Sequence, residues 1–194
     1  MSTLPFHLPR DPLRRWKKSY MSTIVAVLAL LLGPAGLHKR GAAVTFTVNS
    51  SADEVDVAPG DGVCNTGSAC TLRAAVMEAN ALPGADSIVL PDGDYVFSIP
   101  GNDDAAATGD LDITSEVAIN GTAANYVTID ASALDRVFDV RPSGNLSLTG
   151  VSVVGGWDIA GTGGGIRNEG ALTLVRAEVR DNRGPSLHER GPYA

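Results

Sequence analysis

The sequence predicts an all-β chain folded as a parallel β-helix, a solenoid of short stacked strands closed at its N-terminal end by a strand and a helix. Three observations carry that expectation. Short alternating apolar runs follow one another from residue 87 onward, each too short for a helix. One segment recurs at a fixed offset, as solenoid coils do. A single helix-period stretch, Leu72 to Asn80, lies ahead of the runs, where a solenoid needs a lid.

The first element is a strand-like stretch from Val44 to Asn49. Cys64 and Cys70 come next and are close enough to close a small loop. A lone pair at this spacing fits a disulfide better than a metal site, which needs further Cys or His ligands. Spacing by itself leaves open the alternative of two unpaired thiols. In the helix, Leu72, Ala75, Val76 and Ala79 fall at i, i+3, i+4 and i+7 and make one apolar stripe, with Arg73, Glu78 and Asn80 off it. Pro83 disfavours helical geometry at Leu82, so the helix is expected to end there.

Leu82-Pro83-Gly84 then reads as a turn into the runs Ser87–Leu90, Tyr95–Ile99, Leu111–Ile113, Val117–Ile119, Val127–Ile129 and Phe138–Val140. Alternation such as Val117/Ile119 buries one face and leaves the other polar. Farther on, Gly144, Leu146, Leu148, Val151 and Val153 reappear as Gly170, Leu172, Leu174, Ala177 and Val179, an offset of 26 positions (170 − 144). One repeat is expected to equal one coil, with rungs about 4.8 Å apart. The 22 glycines and 5% aromatic content suit such a turn-rich β architecture.

Charge divides the 194 residues. Residues 1–41 hold seven of the 15 Lys and Arg and one of the 22 Asp and Glu, which leaves 8 basic against 21 acidic residues afterwards, a net of −13. Every cation in that acidic body is an arginine scattered among carboxylates, which sets nucleic acid aside as a partner. Residues 1–43 read as an export leader: Arg14, Arg15, Lys17 and Lys18 precede an apolar run from Ile24 to Leu32 and the small residues Gly33, Ala35 and Gly36. That run falls short of the about 20 residues that span a bilayer, so no stable membrane span is expected unless the leader stays uncleaved. Export to an oxidising compartment favours the disulfide, and the expected location is secreted or cell-surface.

The stretch from Thr45 to Ile99 resembles the N-terminal module called the CSLREA domain, whose Cys-Ser-Leu-Arg-Glu-Ala core is matched by Cys70-Thr71-Leu72-Arg73-Ala74-Ala75, with Ala74 in the place of the glutamate. Gly109-Asp110-Leu111-Asp112-Ile113 and the segment from Gly163 to Leu174 are similar to the pectate-lyase-like right-handed β-helix repeats that follow that module. The resemblance covers roughly residues 44–183. It implies a right-handed parallel β-helix in a secreted or surface-attached bacterial protein, of a family whose members mostly lack an established activity. It divides the chain into a leader (1–43), a cap (44–84), coils (85–183) and an unstructured or foreign tail (184–194). Related chains are longer, so the expectation is of a member truncated at its C-terminal end, the full-length form being monomeric.

Candidate chemistry is thin. Lyases of this architecture use a Lys or Arg base beside calcium-binding carboxylates, and the body has no lysine. Asp110 and Asp112, at i and i+2, would share a strand face as a glycoside-hydrolase pair requires, but turn and solvent-face aspartates are the plainer expectation. Asp103, Asp104, Asp110 and Asp112 are candidate calcium ligands, although their spacing matches no EF-hand or nonapeptide repeat. No cofactor other than calcium is expected. No histidine lies in residues 44–183 to activate a nucleophile. Trp157, near Asp158 and Arg167, is a candidate carbohydrate contact, the alternative being an aromatic with a structural duty at the edge of a rung. The expected function is a non-catalytic structural, adhesive or carbohydrate-contacting module whose partner is an extracellular polysaccharide or surface. The alternatives are a polysaccharide-active lyase or glycoside hydrolase, and a non-functional truncated remnant.

Overall fold

The computed structural model describes residues 41–122, 127–158 and 162–184. The basic segment with its apolar run, expected as an export signal, and the tail beyond Gly184 lie outside the described residues. Among the described residues no helix is long and apolar enough to cross a membrane.

Among the described residues the chain is an all-β parallel β-solenoid with one short helix. Strand β1 (Thr45–Thr47) precedes helix α1 (Leu72–Ala81), and the strands β2 (Ala85–Leu90) and β3 (Gly93–Val96) begin the first, incomplete coil. Three coils of three strands follow: β4 (Leu111–Ile113), β5 (Glu116–Gly121), β6 (Val127–Asp130); β7 (Phe138–Val140), β8 (Asn145–Thr149), β9 (Ser152–Val154); β10 (Ile166–Asn168), β11 (Ala171–Val175), β12 (Glu178–Val179). Each coil gives one strand to each of three sheets, ordered β1-β2-β5-β8-β11, β4-β7-β10 and β3-β6-β9-β12, and every pairing is parallel.

The register makes columns of like side chains. Phe46, Ile88, Ile119, Leu148 and Leu174 stack through five strands of the first sheet, Leu111, Phe138 and Ile166 through the second, and Tyr95, Ile129, Val153 and Val179 through the third. Up to the last coil these columns form one continuous core, against which Ile166 packs half-buried, while Leu174 and Val179 are exposed. Leu146 pairs with Leu172 and Val153 with Val179, so the sequence repeat of 26 is one turn of the solenoid (172 − 146). A coil cannot bury its inward residues alone, and each obtains its cover from its neighbours.

Two expected strands are shorter than their apolar runs. The strand beginning near Tyr95 stops at Val96 because the Ser98 and Ile99 N–H groups donate to the Asp53 carboxylate, at 2.7 and 3.0 Å, and leave the ladder. At the first strand, the Val44 N–H donates to Asp86 and the Asn49 N–H to the Cys70 carbonyl.

Helix α1 starts at Thr71, whose hydroxyl accepts from the Ala74 N–H at 3.1 Å and donates to the Glu54 carbonyl at 2.6 Å. It ends at Leu82 in extended geometry, as the following proline requires. The helix packs on β2, β4 and β5. The expected amphipathic character needs correction, because Arg73 and Glu78, read as lying off the apolar stripe, are 1% and 0% exposed. The loop ahead of the helix folds over its polar side, and each buried charge is met there. Glu78 accepts from the Gly60 and Gly62 N–H groups, while Arg73 pairs with Asp53 and donates to the Ala106 and Gly109 carbonyls at 2.9 Å each. Arg73 also stands 5.0 Å above the Phe97 ring.

Asn80 completes the plug. Among the described residues the second sheet has no strand before β4, and the Asn80 amide supplies what that strand would: its Nδ2 donates to the Asp112 carbonyl at 2.7 Å and its Oδ1 accepts from the Thr114 N–H at 2.9 Å. A side-chain amide has the donor and acceptor of a peptide group, so it satisfies an edge that would otherwise invite another strand.

Candidate functional site

Cys64 and Cys70 form a disulfide with a Cα–Cα distance of 5.1 Å, which closes the loop just before α1. The loop is held from within as well: Asp56, 5% exposed, accepts from the Ala58 and Asn65 N–H groups at 2.8 and 2.7 Å. The disulfide and the residues Leu72, Arg73, Ala75, Val76, Glu78, Ala79 and Asn80 are therefore structural parts of the cap.

The four candidate calcium ligands do not converge. Asp103 accepts from the Thr108 hydroxyl and from the Ala105 and Ala107 N–H groups at 2.7 and 3.2 Å, which folds its own loop. Asp104 is exposed and pairs with Arg141 at 3.1 Å. Asp110 and Asp112 are 3% and 1% exposed, which corrects their expected place in turns and on a solvent face. Among the described residues no group of three or more His, Cys, Asp or Glu side chains is arranged to hold a metal ion.

Asp110 and Asp112 belong to a buried charge array. The middle residues of the three-residue strands, Asp112, Asp139 and Arg167, are in register on successive rungs of the second sheet and share one face. The segment from Ile99 to Gly109 reaches the first of these, the Ala106 N–H donating to Asp112 at 3.3 Å. Asp139 is shared by Arg136, Arg141 and Arg167 at 3.5, 3.1 and 3.2 Å. Arg136 also lies 3.3 Å from Asp110, a contact of charges without hydrogen-bond alignment. Five aspartates (104, 110, 112, 135 and 139) thus share three arginines.

The imbalance appears as retained protons. Burial, reinforced by Asp135 and Asp112 and only partly offset by Arg136, pushes the Asp110 carboxyl up to about 8. Burial and the neighbouring Asp139 push Asp112 up to about 6, against the Ala106 N–H and Arg141. For Asp103, burial works in the same direction, but the Thr108 hydroxyl and three backbone N–H groups together outweigh it and hold the carboxyl below its ordinary range. Sequence spacing could not reveal this array, because Asp139 and Arg167 meet Asp112 only through coil register.

Beside it runs a surface groove. Trp157 is 48% exposed and separates two hollows of about 320 and 570 Å³, both of which it lines together with Ala133. Asp181 and Arg183 flank one hollow, and Leu134, Asp135 and Arg136 the other. The backbone under the indole is tied on both sides: the Trp157 N–H donates to the Asp135 carbonyl at 2.9 Å, and the residue bridges in parallel to Arg183. Facing it, the turn from Asp130 to Asp135 places Ser132 and Ala133 at φ of 54° and 58°, a backbone region costly for residues with a β-carbon. The turn is held by the Asp130 carboxylate on the Ser132 N–H and by Ala133 N–H on the Gly155 carbonyl, at 2.7 Å each. Gly155 is required there, since a β-carbon would stand 1.9 Å from Asp130 Oδ1.

An exposed aromatic on a tied backbone, between hollows that each carry an acid and an arginine, can stack on the apolar face of a ring and bond its polar rim. Of the sequence candidates, Trp157 alone lies on an open surface of this form; Asp158 is 3% exposed, and Arg167 sits in the charge array. Sequence reasoning missed Asp135 and Arg136, whose nearness to Trp157 is created by the stacking of two coils. Compared with known proteins, the chain matches no family model, no curated protein and no solved structure.

Proposed function

We propose that the protein is an exported β-solenoid with a CSLREA-type cap that contacts carbohydrate without transforming it, at the bacterial surface or in the surrounding medium. The single observation that carries this reading is Trp157, half exposed between two polar-edged hollows on the side of the coils. An aromatic side chain gives large contact area and keeps a polar rim available for hydroxyl groups. The Cys64–Cys70 disulfide is compatible with an oxidising compartment. Burial of Asp110, Asp112 and Asp139 argues against a glycosidase, because a sugar cannot be flanked by carboxyl groups closed off from solvent.

The test is retention of the purified protein on a panel of neutral and uronic-acid glycans, followed by titration calorimetry on those that bind. Trp157→Ala is expected to weaken binding about tenfold or more while leaving the melting temperature unchanged. Absence of retention on every glycan, equal binding by the variant, or product formation would each overturn the reading.

A further inference from the structure

Three charged side chains line the larger hollow beside Trp157: Asp135, Arg136 and Asp158. Two of them are already engaged. Arg136, its side chain 13% exposed, lies 3.3 Å from Asp110, 3.5 Å from Asp139 and 3.8 Å from Asp135. Asp158 accepts from the Thr162 N–H and hydroxyl at 2.5 and 2.8 Å. Asp135 remains: its Oδ1 accepts from the Arg136 N–H at 2.8 Å, and its Oδ2 has no protein donor among the described residues. Resting on the carbohydrate reading of this groove, we propose that Asp135 is its specificity-determining residue, and that it selects a neutral hexose chain and rejects the corresponding uronic acid chain.

The two kinds of chain differ at C6, which carries a hydroxymethyl group in one and a carboxylate in the other. A hydroxyl donates to the Asp135 carboxylate. A ligand carboxylate has no proton to give and needs N–H donors or a cation. Arg136 is the only cation lining this hollow among the described residues, and drawing it toward a ligand would take it from Asp110 and Asp139, each 3% exposed. A partly exposed ion pair with a ligand does not offset the loss of a buried one. Trp157 and Leu134, 48% and 41% exposed, give an apolar bed on which either sugar ring would lie equally, so charge and not shape divides the two.

The surrounding field has the same sign. Behind Arg136 the array holds five aspartates against three arginines, and with the Asp110 proton retained at neutral pH four aspartates still face three arginines. Across the indole, Arg180 pairs with Glu178 and Asp181, and with Arg183 the two signs balance, so that side does not offset the excess. A uronic acid chain brings a negative charge on every residue, and like charges set against one another exclude the wrong partner.

The test uses the purified full chain at neutral pH and paired oligosaccharides of equal length and linkage: glucan with glucuronan, galactan with galacturonan, mannan with mannuronan. Calorimetry is expected to show a neutral member bound about tenfold or more tighter than its uronic partner. The gap should narrow with salt, as the screening length falls from about 10 Å at 0.1 M to about 3 Å at 1 M. Asp135→Asn keeps an acceptor for the Arg136 N–H but loses the charge, and is expected to reduce the ratio about threefold or more. Trp157→Ala should weaken both members alike. The salt series needs no variant, so it holds even where Asp135→Asn disturbs its turn. Uronic chains that bind as tightly as their neutral partners, and lose that binding in Trp157→Ala, overturn this assignment and leave the carbohydrate reading standing. A ratio that neither salt nor Asp135→Asn changes also overturns it. Failure to retain any member of any pair overturns the carbohydrate reading itself, and this assignment with it.

Discussion

Arg73 of the plug helix and Asp53 of the loop before it form an ion pair with Nε and Oδ1 2.5 Å apart and side chains 0% and 3% exposed. Asp53 also binds the Ser98 and Ile99 N–H groups, and Arg73 binds the Ala106 and Gly109 carbonyls. One pair thus joins the loop, the helix and the chain on both sides of the segment that reaches Asp112.

Removing the arginine leaves a buried carboxylate and two carbonyls without their partner. Arg73→Met is expected to cost about 3–5 kcal/mol in chemical denaturation. Arg73→Lys keeps the charge but lacks the fork that reaches Asp53 and both carbonyls together, so it should recover only part of the loss. A variant within about 0.5 kcal/mol of the parent would show that the pair is dispensable.

Asn80→Ala strips the donor and acceptor that close the edge of β4. The expected cost is about 2–4 kcal/mol, from two backbone groups left without partners. Hydrogen exchange at the Thr114 amide reports it directly: exchange should accelerate there before it does at the Ile119 amide in the centre of the first sheet.

This division shows what the sequence made legible. Apolar alternation and the repeat linking Leu146 to Leu172 located strands, coils and register, because these depend on local period and on a fixed offset. The helix and its end at Leu82 followed from spacing and Pro83. The polar interior was not legible. Glu78 and Arg73 read as surface residues until a loop 16 to 20 positions away in sequence folds over them, and Asp110 and Asp112 read likewise until the chain around them buries both. Trp157 was a visible candidate, but Asp135, its groove partner, arrives from the previous coil.

Asp110 and Asp112 have folded-state values raised above their unfolded ones, to about 8 and about 6 from 3.8. Between these limits the folded chain holds protons that the unfolded chain has released. Their stabilising contribution is therefore full below about pH 4, declines as the pH rises, and is gone above about pH 8. Thermal melts should show stability falling across that range by on the order of a few kcal/mol from these two groups. Asp110→Asn, which cannot ionise, should flatten the curve and be the more stable form at its alkaline end. An unchanged pH dependence in the variant would remove Asp110 from this role.

Every other feature of the fold depends on successive coils stacking in parallel, with inward side chains in continuous columns. Nuclear Overhauser contacts between backbone protons of neighbouring strands test it most directly. Parallel stacking predicts contacts that set Val117 beside Leu146 and Leu146 beside Leu172 along β5, β8 and β11. A network of close Hα–Hα contacts between those segments, which marks antiparallel pairing, would contradict it.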